Sequence, residues 1–253
     1  MAPPSADAPD SLTNRLLDAG VLPMAVIRAG IRSQLRSRIA QIATTSLAAS
    51  YETKAKYISL LRTRPIAIET AAANSQHYEV GTGVLAACLG PRMKYSCCLY
   101  EGIPEAGWLE PRRAITARLG KAEEAMFESY VEKAGLVDGQ TVFDLGCGWG
   151  SLALYVAERF GKSKVTAFSN SRTQKEYIDG VAKERGLGNL EVVTGDIATW
   201  EVPGERKQKY DRVLSVEMFE HMKNYSKLLA KVAALLKPKG KAFVHIFAHK
   251  DTP

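Results

Sequence analysis

Three groups of residues in this chain could do chemistry. The segment Phe143-Asp144-Leu145-Gly146-Cys147-Gly148-Trp149-Gly150 sets three glycines at alternate positions behind an apolar run. Glycines let a backbone turn sharply and approach a ligand closely. Where such a turn joins a strand to a helix, the ligand sits at the C-terminal end of the strand. The spacing is G-x-G-x-G, and position 151 is serine, so the dinucleotide fingerprint G-x-G-x-x-G is not met. A second group is Glu217, Glu220 and His221 in the run Val216-Glu-Met-Phe-Glu-His-Met222. Carboxylates and an imidazole are suited to taking a proton from a nucleophile. The third is the adjacent pair Cys97 and Cys98. Adjacent cysteines bridge only rarely because the geometry is strained. The chain has no C-x-x-C pair, so no metal site is expected.

These residues need elements to hold them. After Leu136 the texture alternates between strand-like and helix-like segments, the pattern of a parallel sheet. Strands are predicted at Thr141–Leu145, Lys164–Phe168, Leu190–Val193, Tyr210–Val216 and Lys241–Phe247. Helices are predicted at Ser151–Phe160, Gln174–Arg185 and Tyr225–Leu236, the last stopped by the turn Lys237-Pro-Lys-Gly240. Upstream, Pro111–Ala134 and Leu12 to about Ala72 read as helical, and Ser11 is a plausible cap. Residues 74–100 read as structured loop with short helices. Residues 1–11 are rich in Pro, Ala, Ser and Asp and read as a disordered lead. The expected organisation is therefore a lead over 1–11, a helical region with an active-site lid over 12–110, and a Rossmann-like α/β domain over 111–253.

A length of 253 residues suits one or two domains at about 150 residues each. No apolar stretch reaches the ~18 to 20 residues of a membrane span. Four cysteines are too few for a disulfide scaffold, and reduced thiols point to a cytoplasmic protein. The net charge of +7 is concentrated between Val21 and Ile68, where eight basic residues stand against Glu52. The rest is near neutral, so nucleic acid is not an expected partner. Arg28, Arg32 and Arg36 recur every four residues, with Ile27, Ile31, Leu35 and Ile39 one position earlier. On a helix this is an apolar stripe beside a basic one. It suits either a docked helix with a solvated face or a helix on an anionic membrane surface.

The glycine turn resembles the cofactor loop of class I S-adenosylmethionine-dependent methyltransferases. Tyr95-Ser-Cys-Cys98, Asp144 to Gly150, Asn170-Ser-Arg-Thr-Gln-Lys175 and Glu217-Met-Phe-Glu-His-Met-Lys-Asn-Tyr225 together resemble the coclaurine N-methyltransferase branch. That branch is similar to the cyclopropane-fatty-acyl-phospholipid synthases. The resemblance implies S-adenosyl-L-methionine as cofactor and a small-molecule amine or a lipid as acceptor. It places Tyr95 and Ser96 at the methionine end and Asp144, Gly146, Cys147, Gly148 and Gly150 around the turn. Asn170, Thr173 and Gln174 would lie near the ribose, and Asp196 with Ile197 near the adenine. For Asp196 a plain turn role stays open.

An amine nucleophile must be neutral to accept a methyl group, and the amine branch points to Glu220 and His221 for removing its proton. A helix-capping role for the pair stays open. The cyclopropane branch offers another use of the region, in which a cysteine, a glutamate and a histidine hold bicarbonate. The matching positions are Cys97, Glu220 and His245, with Phe247 replacing that family's isoleucine. His77 and Tyr78 resemble the family's entry to the lid, where Gly81 and Gly83 depart from its pattern. The resemblance also implies further strands beyond the fifth, which would cover an open edge and supply part of the acceptor pocket. An intact enzyme, a truncated one and an inactive cofactor-binding fragment are all compatible with this reading. The oligomeric state is not set by the sequence.

Overall fold

The computed structural model describes residues 12–42, 46–68, 82–104 and 110–248. The chain falls into two compact units, one containing the described residues up to Ser59 together with Ala248, the other Leu60–Phe247. In the first, α1 (Leu12–Asp18), α2 (Met24–Ile42) and most of α3 (Leu47–Thr63) are helical. On α2 the row Ile31, Leu35 and Ile39 is exposed, as are Arg28, Arg32 and Arg36. No helix among the described residues is long and apolar enough to cross a membrane. The last of these helices ends at Thr63 and 64–68 are not helical, while Ala72, the expected limit of the helical region, lies outside the described residues. Ser11, His77, Tyr78, Gly81 and the earlier part of the expected lid lie outside the described residues.

The second unit is built on five parallel strands, β1 (Thr141–Leu145), β2 (Lys164–Ser169), β3 (Leu190–Thr194), β4 (Tyr210–Val216) and β5 (Leu236–His245). They lie in the order β3-β2-β1-β4-β5. Each half of the sheet is wound outward from the middle, so β1 and β4 flank the point where the winding reverses. Ligands bind at the strand C-termini beside such a point. α4 (Thr82–Cys88) is largely exposed, and α5 (Arg112–Ala134), α6 (Ser151–Arg159), α7 (Arg172–Glu184) and α8 (Tyr225–Leu235) supply the layers on the two faces of the sheet.

Alternation along β1 distributes the core. Val142 packs with Phe127 and Tyr130 of α5, the buried side of α6, and Ile178 of α7. Phe143 and Leu145 face the other layer, with Phe168, Val213, and Leu228 and Val232 of α8. Period-two side-chain direction is what lets one short strand feed two layers. Ser171 caps α7, accepting a hydrogen bond from the Gln174 N–H, so the helix starts at Arg172 and not at Gln174.

The fifth strand departs from expectation at both ends. Pairing begins at Leu236, opposite Tyr210, then jumps so that Lys241 faces Arg212. The residues read as a turn, Lys237 to Gly240, are absorbed as an irregularity within the strand, and Lys239 takes φ 67°. The strand stops at His245, and Phe247 is exposed beyond it.

The glycine turn tests the packing directly. A Cβ built on Gly150, which has φ 75°, would lie 2.6 Å from Ile178 Cγ1 and 2.8 Å from Cδ1. A left-handed non-glycine residue costs about 1–2 kcal/mol, and overpacking a tight core about 1–3 kcal/mol. Gly150→Ala is therefore expected to lower unfolding stability by about 2–5 kcal/mol. Denaturant unfolding measures this; a loss below about 1 kcal/mol would mean that α6 and α7 are not locked through this contact.

Candidate functional site

Both chemical runs found in the sequence emerge at the middle of the sheet. The glycine turn follows β1, and Glu217 follows β4. The turn is fastened at its back: the N–H groups of Gly146 and Cys147 both donate to the Phe168 carbonyl, each at 3.0 Å. Gly146 has φ 81°, and a Cβ there would meet Met218 Cγ at 2.7 Å. Gly148 differs from its two neighbours. It also takes a positive φ, 54°, but a Cβ on it would meet nothing within 4 Å. Two glycines are required by packing, and the middle one leaves open space. Cys147 is buried, and burial pushes its thiol well up.

Asp144 sits under the turn at the end of β1, 2% exposed. Burial pushes its carboxyl up to about 7, opposed by the charge of Lys94 and by a hydrogen bond from the Ala153 N–H. Its Oδ2 has no hydrogen-bond partner.

Residues 90–98 form one wall. Met93 takes φ 54°, and the buried Glu123 carboxylate accepts the N–H groups of Arg92 at 3.0 Å and Lys94 at 3.1 Å. This grip leaves no room at Gly90, where a Cβ would fall 2.6 Å from the Glu123 carboxylate. Lys94 is turned inward, 4% exposed, with Nζ donating to Ser96 Oγ and, at 3.4 Å, to Tyr130 Oη. Burial favours its neutral amine. Ser96 is thus tied to Lys94, and Tyr95 stands 59% exposed.

The acid–base groups separate into two sets. Glu217 has φ 48°, and its N–H donates to the His245 carbonyl at 2.8 Å. Its Oε1 accepts the Cys97 N–H at 3.0 Å. Cys97 Sγ lies 4.0 Å from His245 Nε2, and Tyr130 Oη is 3.0 Å from His245 Nδ1. Burial, with the Glu217 carboxylate beside it, pushes the Cys97 thiol up to about 11. The glutamate that the structure brings to Cys97 and His245 is Glu217, not Glu220. The cause is local: the left-handed turn at Glu217 keeps it beside the end of β5. Glu220 and His221 belong to a short 3-10 turn, Phe219–His221. Glu220 Oε1 accepts the Phe247 N–H at 3.2 Å, and its Oε2 is buried without a partner. His221 is exposed, its N–H donating to the Met218 carbonyl.

That run is anchored at its far end. Buried Asn224 caps α8 through Lys227 N–H and donates to the carbonyls of Arg62 at 2.7 Å and Arg64 at 2.9 Å. After β2, Asn170 is half-buried, and Thr173 Oγ1 lies 2.8 Å from Ser171 Oγ. Gln174 is buried and accepts from Ser169 Oγ at 2.6 Å, leaving Nε2 without a partner. After β3, Asp196 Oδ1 accepts the Ala198 N–H at 2.8 Å, the work of a turn aspartate. Ile197 is buried in the second core layer.

Among the described residues, four buried side-chain polar atoms lack a partner: Arg118 Nε, Asp144 Oδ2, Gln174 Nε2 and Glu220 Oε2. Three of the four belong to residues picked from the sequence as ligand-binding or catalytic. Buried polar groups are normally satisfied, so each of these atoms calls for a partner that the described residues do not supply.

Residues 67–252 match the mycolic acid cyclopropane synthetase family. The chain belongs to this family. It is 38% identical over 238 residues to the (S)-coclaurine N-methyltransferase of Thalictrum flavum subsp. glaucum, covering 92% of this chain and 60% of that protein. It is 32% identical over 180 residues to the cyclopropane-fatty-acyl-phospholipid synthase of Escherichia coli (strain K12), covering 70% of this chain and 41% of that one. It is similar to the crystal structure of coclaurine N-methyltransferase bound to N-methylheliamine and SAH, with TM-score 0.76 and 35% identity over 91% of this chain and 62% of that chain. The chain thus spans about 60% or less of the length of these relatives.

Within this cyclopropane synthetase family member, the sequence reading missed Lys94, Glu123 and Tyr130. Glu123 did leave a signal. It shares the stripe of α5 with Phe127, Tyr130 and Ala134, and a carboxylate on a buried face needs a reason. Lys94 left only its place beside Tyr95 and Ser96.

Proposed function

We propose that this chain binds S-adenosyl-L-methionine over the glycine turn and is an N-methyltransferase acting on a small-molecule amine. The observation that carries the reading is the turn left open at Gly148, with the unpartnered buried atom Asp144 Oδ2 on the strand that leads into it; Gln174 Nε2 and Glu220 Oε2 are two further buried atoms without partners. These residues fit a ligand that offers both donors and acceptors. When bound, the cofactor supplies an electrophilic methyl group on a sulfonium. The chain's own work is alignment and proton handling. Gly148 admits the ligand backbone to backbone, and Asp144 offers an acceptor to a cationic group. Gln174 offers a donor at the end of β2. Glu220 and His221 stand after β4 to take the proton that makes the acceptor nitrogen nucleophilic.

A groove of about 900 Å³ runs along α5 and β5, lined in part by Met126, Tyr130, Phe243 and His245. It meets the candidate site residues at His245. A second reading, transfer to a lipid alkene, draws on the Cys97–Glu217–His245 grouping and on the exposed apolar row of α2 beside its arginines.

Calorimetric titration with S-adenosylmethionine and S-adenosylhomocysteine tests the cofactor site. Micromolar binding is the expected result, and no binding by a folded chain would remove it. Methyl-labelled cofactor then separates the acceptors. Label in benzylic or cyclic secondary amines supports the first reading. Label in unsaturated lipid of anionic vesicles supports the second.

A further inference from the structure

We propose that Cys97, Glu217 and His245 form a three-ligand site for a thiophilic divalent cation of the zinc class, open at its fourth position. One ligand atom from each residue lies within 4.8 Å of the others. A thiolate, an imidazole and a carboxylate are the three donor types zinc takes, and three protein ligands with an open fourth position is the catalytic-type arrangement. Metal bonds of about 2.0–2.3 Å place tetrahedral ligand atoms roughly 3.5 Å apart. The group therefore needs to close by roughly 1 Å, within the reach of side-chain rotation.

The frame for such a closure is already rigid. Glu217 and His245 come from the ends of two paired strands, with Val216 in register with His245 and the Glu217 N–H bonded to the His245 carbonyl. Cys97 comes from the segment held by Glu123 and by its own N–H bond to Glu217. Tyr130 Oη engages His245 Nδ1 at 3.0 Å, which leaves Nε2 toward Cys97 Sγ. A second hydrogen bond that orients a ligating imidazole is the usual support of a metal histidine. Lys94 lies behind Tyr130, its Nζ donating to Tyr130 Oη at 3.4 Å.

Binding replaces the Cys97 S–H bond with a metal–thiolate bond and releases that proton to solvent. No redox change occurs. A metal held here occupies Glu217 and His245 and blocks the groove end beside them, so it inhibits turnover. Only that consequence rests on the proposed methyltransferase reading; the binding itself does not.

Cobalt(II) is the probe, titrated into the full chain. The expected result is one equivalent bound, with a near-ultraviolet thiolate-to-cobalt charge-transfer band that zinc displaces. The band is expected to vanish in Cys97→Ser and to persist in Cys98→Ser. His245→Ala and Tyr130→Phe should each weaken binding by about tenfold or more. Absence of a thiolate band in the wild-type chain overturns the proposal, as does its persistence in Cys97→Ser. Cys97 is exposed and serine changes a single atom, and a melting curve on each variant checks that it is folded. S-adenosylhomocysteine titration of the same samples separates the two ideas. Cofactor binding without cobalt binding overturns the metal site alone. Cobalt binding without cofactor binding supports it and removes the cofactor reading.

Discussion

Gly148→Asp is expected to abolish measurable S-adenosylhomocysteine binding while the chain stays folded. The expectation comes from the difference among the three glycines. Gly146 and Gly150 are backed by Met218 and Ile178, so a side chain at either strikes the core. At Gly148 a Cβ meets nothing within 4 Å. Its φ of 54° is left-handed, a region that aspartate visits more readily than most residues. The cost to the fold is then about 1 kcal/mol, a shift of about 2–4 °C in melting temperature. The cost to the ligand is much larger. The side chain occupies the space the backbone leaves open, and a loss of at least about 100-fold corresponds to about 2.8 kcal/mol. Calorimetry and thermal melting on the same sample check both halves. Wild-type affinity in the variant would show that the turn is not the ligand loop. A large drop in melting temperature would show that Gly148 serves the fold as its neighbours do.

What could be read from the chain follows how far apart the determinants lie. The strand before the glycine turn, the helix after it and the alternation that follows rest on neighbours within a few residues. Thr141–Leu145, Ser151 as a helix start and the end of β4 at Val216 are all where the local pattern puts them. The fifth strand fails because Pro238 and Gly240 are turn residues wherever they stand. Whether they end a strand or make an irregularity inside it is decided by Tyr210 and Arg212 on the neighbour. The site shows the same division. Gly148 and Asp144 sit in one short run. Cys97 and Glu217 are brought together across 120 residues, and Cys97 and His245 across 148. No spacing rule for metal ligands or catalytic groups operates over such distances. The choice between Glu217 and Glu220 depends on a left-handed φ at a glutamate, which nothing in the local sequence requires. Such conformations persist only where the surroundings impose them, and they concentrate at functional sites. Met93 is a second case, set between Arg92 and Lys94, whose N–H groups donate to the Glu123 carboxylate.

Asp144 gives the largest expected pH effect. Its carboxyl is raised from 3.8 to about 7 because burial disfavours the charge. A raised carboxyl holds its proton in the folded state over a range where the unfolded chain has lost it. The stability it contributes is fully present below 3.8 and is lost as pH rises through about 7. The slope is about 1.4 kcal/mol per pH unit, about 4 kcal/mol in all. Among the neighbouring groups, Lys94 favours the ionised carboxylate, while Cys147 and Tyr130 are raised further by it. A ligand with an ammonium or sulfonium group changes the balance, because a cation beside Oδ2 gives the ionised form a partner it otherwise lacks. S-adenosylmethionine affinity is therefore expected to rise as pH approaches about 7 and to level off above it. Below that point it falls by up to about tenfold per pH unit. Binding near pH 7 releases a proton from Asp144, visible as a dependence of binding heat on the buffer. Asp144→Asn removes the ionisation and should flatten both the stability slope and the affinity slope. A variant that keeps the wild-type pH dependence of binding would show that the carboxylate is not in contact with the cationic end of the ligand. One that keeps only the stability slope would assign that slope to other groups and leave the ligand contact in place.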